Sequence, residues 1–274
     1  MPRIHIQKLL SALANNIGRE SAKQELKWLQ QTGRNDLEAM LRRRTRGEPL
    51  QPETEDWAMR LSELLAPTPK TPISVLDLCT GTGCIPLLLC HLWPPGSARA
   101  YGVDISDSAV KLANENAVLY GIAPSDMSPP AKADKNTFTP FQADILDSSF
   151  TASSQLPRLG PFDVITSNPP YIPLDEYRQL PRSVKDYEDP RALLGDPPNA
   201  DSGADDGLTF YRAISRLVAR PGVLSDDERA MVVFEVGDKQ ASAVESILQS
   251  EGGLPRTEIW RDPWGKERVV VGRR

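Results

Sequence analysis

Short, continuous runs of apolar residues alternate with stretches of helical length from about residue 52 to the end of the chain. Such runs predict buried strands, and their alternation with helices predicts a mainly parallel sheet. The expected fold class is therefore α/β, with a doubly wound, mainly parallel sheet of seven strands and an antiparallel last strand. The predicted strands are residues 73–78, 99–103, a third that ends at 142–144, 162–166, 231–236, 257–260 and 268–271.

The first 50 residues differ, because their apolar side chains recur at helical spacing rather than in continuous runs. We therefore predict a small helical domain over residues 1–50 and an α/β domain over residues 51–274. Pro52 and the acidic residues after it are typical of a helix start, and this helix is expected to run to about Ala66. The basic run at residues 42–46 is a candidate contact for a partner protein, although basic runs more often form a solvated face.

Two stretches rich in proline, aspartate and small residues predict loops, at residues 123–137 and 181–206. The first is expected to be a surface insertion. The second follows the most informative motif of the chain directly, so it is placed to act as a lid over a substrate. Its acids Glu188 and Asp189 could contribute chemistry there, but a solvated acidic loop is the simpler interpretation.

Composition narrows the function classes. A chain of 274 residues with 39% hydrophobic residues suits one large domain with a small appendage. The formal charge of −5 and the pI of about 5.3 argue against a broad phosphate-binding surface. No apolar run reaches the roughly 18 residues of a membrane span. The cysteines and histidines show no paired ligand spacing, so we expect neither a metal site nor a disulfide framework.

A glycine-rich turn lies between the first predicted strand and an apolar helix at residues 84–93. Strand, glycine turn and helix together form the front of a nucleotide-binding unit, in which glycines let the backbone approach a ligand closely. The spacing lacks the third glycine of a dinucleotide site and the lysine of a triphosphate site, so a pyrophosphate or triphosphate ligand is disfavoured. The turn consists of Cys79, Thr80, Gly81, Thr82 and Gly83.

Acidic residues stand at the ends of the next two predicted strands. Asp104 ends the second strand, where an acid is suited to bind both hydroxyls of a ribose. Asp144 ends the third strand, where an acid could accept from the amine of an adenine while Ile145 packs against the base. Either acid alone could instead be a simple strand-end cap. The ordered series of strand ends is what favours a nucleotide-like ligand.

The fourth predicted strand runs into Asn168, Pro169, Pro170 and Tyr171. Two consecutive prolines fix the backbone just past the strand end, which is where open α/β folds place their ligands. An amide side chain, a proline-flanked carbonyl and an aromatic ring together suit a planar, uncharged NH2 group. A plain Asn-Pro turn is the alternative for this motif taken by itself.

The series Asp77-x-Cys-x-Gly-x-Gly83, Asp104, Asp144 and the Asn-Pro-Pro-Tyr motif resembles the class I S-adenosylmethionine-dependent methyltransferases that act on amino nitrogens. Within that class the flanking sequence is similar to the protein-(glutamine-N5) methyltransferases of peptide chain release factors. The closer match is carried by residues 25–29, 43–50, 52–55, 206–208, 234–237 and 261–272. Cys79 is a departure, because the family usually has glycine there, and its backbone is expected to contact the cofactor.

The resemblance implies the seven-stranded methyltransferase fold, S-adenosylmethionine as cofactor and a release factor as protein partner. It also implies methyl transfer to the amide N5 of the glutamine in a Gly-Gly-Gln motif. The cofactor-binding residues it implies are Asp77, Cys79, Thr80, Gly81, Thr82, Gly83, Asp104, Asp144, Ile145 and Asn168. The catalytic residues it implies are Asn168, Pro169, Pro170 and Tyr171.

One family feature is missing. Residues 47–51 run directly into Pro52, whereas the family normally has a β-hairpin and an apolar-Pro-Arg lead-in between these motifs. In the family that segment links the two domains and helps to wall the glutamine pocket. Its absence could open the pocket, weaken docking of the partner, or mark an inactive isoform or a shortened gene model.

Two alternative functions stay open. The Asn-Pro-Pro-Tyr motif is shared with enzymes that methylate DNA adenine or RNA guanine, although the acidic net charge disfavours contact with nucleic acid. The missing hairpin motivates a second alternative, a catalytically impaired form that binds cofactor or partner.

Residues 1–19 contain basic but no acidic side chains, which is weakly typical of a mitochondrial presequence. The cytoplasm is the alternative compartment, and a monomer is the default state.

Overall fold

The computed structural model describes residues 52–122, 124, 134–148, 150, 155–180, 182–185, 188–197 and 205–274 of the chain. The predicted helical domain, the basic run and most of the predicted insertion at 123–137 lie outside these residues. Glu53–Arg274 is a compact unit of the chain. Its strands are β1 Ile73–Leu78, β2 Ala98–Asp104, β3 Thr137–Gln142, β4 Val164–Ser167, β5 Met231–Glu235, β6 Arg256–Arg261 and β7 Glu267–Arg273.

The seven strands form one sheet in the order β3-β2-β1-β4-β5-β7-β6. The first five strands pair in parallel, and β7 pairs antiparallel with β5 and with β6. This arrangement confirms the predicted fold class, including the antiparallel last strand. The continuous apolar runs predicted it because strands of a parallel sheet are buried on both faces, and every residue of β1, β4 and β5 is buried.

Helices cover both faces of the sheet. They are α1 Pro52–Leu65, α2 Cys84–Leu92, α3 Asp107–Leu119, α4 Gln155–Leu159, α5 Leu174–Gln179, α6 Arg182–Lys185, α7 Thr209–Val218 and α8 Ala241–Ser250. One apolar core lies between the sheet and α1, α2 and α3, and the other lies between the sheet and α4, α7 and α8. Alternate residues of each strand enter opposite cores, as Val75 and Leu76 do. In the part of the chain that the structure describes, no helix is long and apolar enough to cross a membrane.

Local chemistry explains several element boundaries. Ser106 caps α3, as its hydroxyl accepts a hydrogen bond from the Ala109 N–H at 3.4 Å. The strand predicted at 162–166 begins later, at Val164. Phe162 is apolar and buried, but its N–H donates to the Val223 carbonyl at 2.8 Å, in the segment between α7 and β5. The apolar run therefore starts before the regular pairing of β4 does.

The predicted loop at 181–206 contains regular structure in the part that is described. The short helix α6 and a 3-10 turn at Pro190–Ala192 interrupt it. The turn has its own cap, because Asp189 Oδ1 accepts from the Arg191 N–H at 2.9 Å. Asp189 and Pro190 therefore begin a turn of helix within a stretch that composition alone assigned to a loop. Similarly, Thr137 begins β3 instead of ending the predicted insertion.

Candidate active site at the carboxyl edge of the sheet

The carboxyl ends of β1, β2, β4 and β5 meet at one edge of the sheet, and most of the predicted site residues follow these ends. The strand order reverses beside β1, because β2 lies on one side of it and β4 on the other. Open α/β sheets bind ligands in the crevice at such a switch point. Leu78 and Ser167 are direct neighbours across β1 and β4, so the glycine turn and Asn168 lie side by side.

The glycine turn is wound in a conformation that suits close approach by a ligand. Cys79, Gly81 and Gly83 all have positive φ angles, of 58°, 54° and 76°. A Cβ on Gly83 would lie 2.9 Å from the ring of Phe138, so packing as well as backbone geometry requires glycine there. A Cβ on Gly81 would have no neighbour within 4 Å. The open space of the turn is therefore in front of Gly81, with Thr82 exposed beside it.

Asp77 lies beneath this turn and holds it against two strands. Its side chain is fully buried. Oδ2 accepts from the Thr80 hydroxyl at 2.7 Å, and Oδ1 accepts from the Thr166 hydroxyl at 2.6 Å. Burial raises the pKa of Asp77 to about 7, against the opposing effect of these two hydrogen bonds. Asp77 thus positions the turn from below, and direct contact with a cofactor stays a prediction.

Asp104 connects the end of β2 to the same turn. Its Oδ2 accepts from the Gly81 N–H at 2.8 Å, and its Oδ1 accepts from the Ser106 N–H at 2.9 Å. The carboxylate is half-buried and retains acceptor capacity on both oxygens. The next residue, Ile105, leaves 46% of its surface exposed. It offers an apolar surface for a flat ring, and its position after the strand-end acid is the signal by which it could have been found.

Asp144 lies two residues beyond β3, within a turn. Its Oδ1 accepts from the Leu146 N–H at 2.8 Å, and the side chain is half-buried. Ile145 is buried in the same core as Tyr101, so most of its side chain packs inward. The predicted packing of Ile145 against a base therefore stays a prediction, although its backbone is at the right edge of the sheet.

Asp77, Asp104 and Asp144 all lie close enough to Cys79 to act on its thiol. Burial is the main cause that raises the pKa of the Cys79 thiol, and the charges of Asp104, Asp77 and Asp144 raise it further. The thiol stays protonated at neutral pH, which removes it as a nucleophile. Among the described residues, no group of three or more His, Cys, Asp or Glu side chains could hold a metal ion.

Asn168 and Tyr171 are half-buried at the end of β4, while Pro169 and Pro170 are buried. The Ser167 hydroxyl donates to the Leu78 carbonyl at 2.7 Å and fixes the strand end next to the glycine turn. The Asn168 amide nitrogen donates to the Thr54 hydroxyl at 3.4 Å. The structure thus places the motif directly after β4, next to the glycine turn that follows β1, and contact of its amide and ring with a substrate stays a prediction.

Proteins of similar sequence share one name. The chain is 32% identical over 225 residues to a release factor glutamine methyltransferase of Thermodesulfovibrio yellowstonii, a match that covers 80% of this chain and 66% of that protein. Proteins of the same name from Bacillus anthracis and Rhodospirillum rubrum are 32% and 34% identical, covering 72% and 73% of this chain and 58% and 50% of theirs.

The chain belongs to the release factor glutamine methyltransferase family. It spans about half to two thirds of the length of the relatives named above. No family model matches the chain. A ribosomal protein L11 methylase of Lactobacillus delbrueckii subsp. bulgaricus aligns at 18% identity with a TM-score of 0.48, covering 82% of this chain and 81% of that one. That similarity is too low to carry an inference.

The structure adds residues that the sequence did not mark as functional. Thr54 and Trp57 on α1 both donate to Glu235 Oε2 at the end of β5, at 2.5 Å and 2.8 Å. All three side chains are buried. They lie in two of the stretches that carry the family resemblance, residues 52–55 and 234–237, or directly beside them. The available signal was an acid placed inside an apolar strand, which must find partners because an unpaired buried charge is costly.

Two of the family stretches, residues 206–208 and 234–237, meet at Tyr171. Gln240 Nε2 donates to the Tyr171 carbonyl at 2.9 Å, and Gln240 Oε1 accepts from the Gly237 N–H at 3.1 Å. A Cβ on Gly207 would lie 2.2 Å from the Tyr171 carbonyl oxygen, and one on Gly237 would lie 2.8 Å from the ring. Glycine is therefore required at both places. Burial raises the pKa of Tyr171 to about 12, so the phenol stays neutral.

Proposed function

We propose that this protein transfers a methyl group from S-adenosylmethionine to the side-chain amide nitrogen of the glutamine in a release factor's Gly-Gly-Gln motif. The observation that carries the proposal is the position of Asn168, directly after β4 and next to the glycine turn that follows β1, at the switch point of the sheet. The family resemblance supplies the substrate class. S-adenosylmethionine, when bound, supplies the electrophilic methyl group.

The residues at the edge of the sheet fit this cofactor. The open space in front of Gly81 admits a ligand close to the backbone. The Asp104 carboxylate, already held by two backbone N–H groups, can accept from ribose hydroxyls. Ile105 offers an apolar surface and Asp144 an acceptor for an adenine amine. These groups would hold the cofactor from the turn outward along the ends of β2 and β3.

The chemical difficulty is the poor nucleophilicity of an amide nitrogen, whose lone pair is delocalised into the carbonyl. The site must align this nitrogen with the bond between sulfur and the methyl carbon, and orientation can contribute about 7–11 kcal/mol in favourable cases. The Asn168 Oδ1 and the Pro169 carbonyl are the acceptors for the two amide hydrogens. Their attraction increases as positive charge develops on nitrogen, which stabilises the transition state over the bound substrate.

Atoms and charge balance without a protein base. The bond from nitrogen to the methyl carbon forms while the bond from that carbon to sulfur breaks, and the nitrogen then loses one proton to water. Tyr171 and Cys79 are both held protonated by burial. Neither of these two groups can accept the proton.

A substitution of Asn168 tests the assigned role. We expect Asn168→Ala to abolish methylation of the release factor while S-adenosylmethionine affinity, measured by calorimetry, changes little. Asn114→Ala is the matched control, since Asn114 is exposed on α3 and bonds only locally, to the Val110 carbonyl at 3.0 Å. Loss of cofactor binding in a folded Asn168→Ala protein would contradict the role given to Asn168.

Two other functions are distinguishable by substrate. Methylation of naked DNA or RNA would favour an amino-methyltransferase of nucleic acid, which shares the Asn-Pro-Pro-Tyr chemistry. Cofactor binding without any product on a release factor would favour a catalytically impaired form. That alternative is motivated by the missing hairpin, since residues 47–51 run directly into Pro52.

The mitochondrial compartment is a proposal that rests on residues 1–19 alone, since the relatives named above are bacterial. A monomeric state is likewise proposed.

A further inference from the structure

The Thr54 hydroxyl lies between the amide of Asn168 and the carboxylate of Glu235. Its oxygen is 2.5 Å from Glu235 Oε2 and 3.4 Å from the Asn168 amide nitrogen. Thr54 and Glu235 are 181 residues apart in the chain and are 4% and 7% exposed. The first turn of α1 and the end of β5 therefore meet directly beside Asn168.

With the Glu235 carboxyl ionised, counting hydrogens fixes the direction of each bond. A threonine hydroxyl has one hydrogen, and the short contact to Glu235 Oε2 uses it. The indole N–H of Trp57 donates to the same oxygen at 2.8 Å, so Oε2 acts as an acceptor in both bonds. The Thr54 oxygen can then only accept from Asn168. An amide oxygen turned towards Thr54 would bring two acceptors together with no hydrogen between them.

We propose that Thr54 and Glu235 are positioning residues that set which end of the Asn168 amide faces the substrate. With the nitrogen bound to Thr54, the Oδ1 atom points away from Thr54 and is free to accept from an NH2 group. The reversed amide would present its own donors to the donors of glutamine. This inference rests on the proposed function, and it deepens that function by assigning the cause of the amide's orientation.

The surroundings of Glu235 support a fixed arrangement. Burial is the main cause that raises the pKa of its carboxyl, opposed by the hydrogen bonds from Thr54 and Trp57. The charged groups that face it are Glu53 on α1 and Arg268 on β7, with opposite effects. A buried acceptor that holds two donors is costly to rearrange, because each donor would be left without a partner.

The kinetic test compares two substitutions at Thr54. Thr54→Val keeps the shape and removes the hydroxyl, whereas Thr54→Ser keeps the hydroxyl. The hydrogen bond that Asn168 Oδ1 accepts from the substrate strengthens mainly in the transition state. We therefore expect Thr54→Val to lower kcat by about tenfold or more, with a smaller effect on KM. Thr54→Ser should restore most of the rate, and S-adenosylmethionine affinity should not change in either variant. An unchanged kcat in Thr54→Val, beside an active wild type, would overturn the inference.

A second readout does not depend on activity. The side-chain NH2 protons of Asn168 can be assigned in ¹⁵N–¹H NMR spectra as the pair that disappears in Asn168→Asp. We expect their chemical shifts and exchange with water to change in Thr54→Val and to return towards wild type in Thr54→Ser. Identical spectra for this pair in all three proteins would refute the proposed hydrogen bond. An inactive wild type with the expected spectra would refute the proposed function and leave the positioning role standing.

The matched control for both readouts is Thr257→Val. Thr257 also bonds a carboxylate, Glu245 Oε1, at 2.8 Å, but it does so between β6 and α8. Its loss should affect stability without changing kcat or the Asn168 protons. A fall in kcat in Thr257→Val as large as that in Thr54→Val would mean that general loosening explains the effect, which would also overturn the inference.

Discussion

Asp104 Oδ2 accepts a hydrogen bond from the Gly81 N–H at 2.8 Å, which joins the end of β2 to the glycine turn that follows β1. The same carboxylate accepts from the Ser106 N–H at the start of α3. The glycine turn, β2 and α3 are thus held by one side chain at this edge of the sheet. This arrangement makes Asp104 the acid whose loss should matter most for the cofactor.

We expect Asp104→Ala to weaken S-adenosylmethionine binding strongly. Hydrogen bonds to a charged group contribute about 1.5–3 kcal/mol, so the dissociation constant should rise by at least tenfold. Calorimetric titration of the cofactor measures this directly. Asp107→Ala is the control, because Asp107 is an exposed acid on α3 that pairs with Lys111 at 2.6 Å. Equal affinities for wild type and Asp104→Ala would exclude a contact between Asp104 and the cofactor.

Gly81 and Gly121 form a matched pair for testing ligand approach. Both have positive φ angles, of 54° and 68°, and a Cβ at either would have no neighbour within 4 Å. Alanine at each position should therefore cost a similar backbone strain of about 1–2 kcal/mol. Only Gly81→Ala should also reduce cofactor affinity, because only its Cβ would enter the space in front of the turn. Equal cofactor affinities in the two variants would show that the ligand does not approach Gly81.

The buried Asp77 predicts a pH dependence of stability. Its pKa of about 7 in the folded protein exceeds the ordinary value of 3.8, so the folded state binds this proton more tightly than the unfolded state does. The stabilisation is therefore full below the ordinary pKa and is lost as pH rises through 7, by about 1.4 kcal/mol for each unit of separation. Asp77→Asn removes this dependence.

Urea unfolding at about pH 5 and about pH 8 tests the sign of this effect. The stability of Asp77→Asn, relative to wild type, should improve as the pH rises. A relative stability that worsens towards pH 8 would mean that the hydrogen bonds from Thr80 and Thr166 hold Asp77 ionised, which would contradict the dominance of burial.

Gln240 is predicted to support the substrate side of the site. It bridges the Tyr171 carbonyl and the Gly237 N–H, so Gln240→Leu should release the backbone beyond the Asn-Pro-Pro-Tyr motif. We expect a several-fold rise in KM for the release factor, because each lost bond contributes about 1 kcal/mol, with an unchanged cofactor affinity. The control is Gln249→Leu, which loses a bond to Thr257 at the exposed side of α8. A weaker cofactor affinity with an unchanged KM would contradict this role.

The sequence predicted those features that depend on neighbours along the chain. The β1 strand, the glycine turn and the closing antiparallel pair follow from apolar runs and turn residues, and the structure has them at or within two residues of the expected positions. The contact between Thr54 and Glu235 could not be predicted in this way, because no periodicity links residues so far apart. Burial of Ile145 was also unpredictable, since it depends on how the turn after β3 packs onto the core.

The most direct test of the proposed function is the site of the methyl group. Purified protein would be incubated with S-adenosylmethionine and a release factor, and the peptide that carries the Gly-Gly-Gln motif would be analysed by tandem mass spectrometry. We expect one added methyl group on the glutamine side chain, absent from a Gln→Ala factor and from reactions with the Asn168→Ala enzyme. An unmodified glutamine in the presence of bound cofactor, or a methyl group on another residue, would contradict the proposed function.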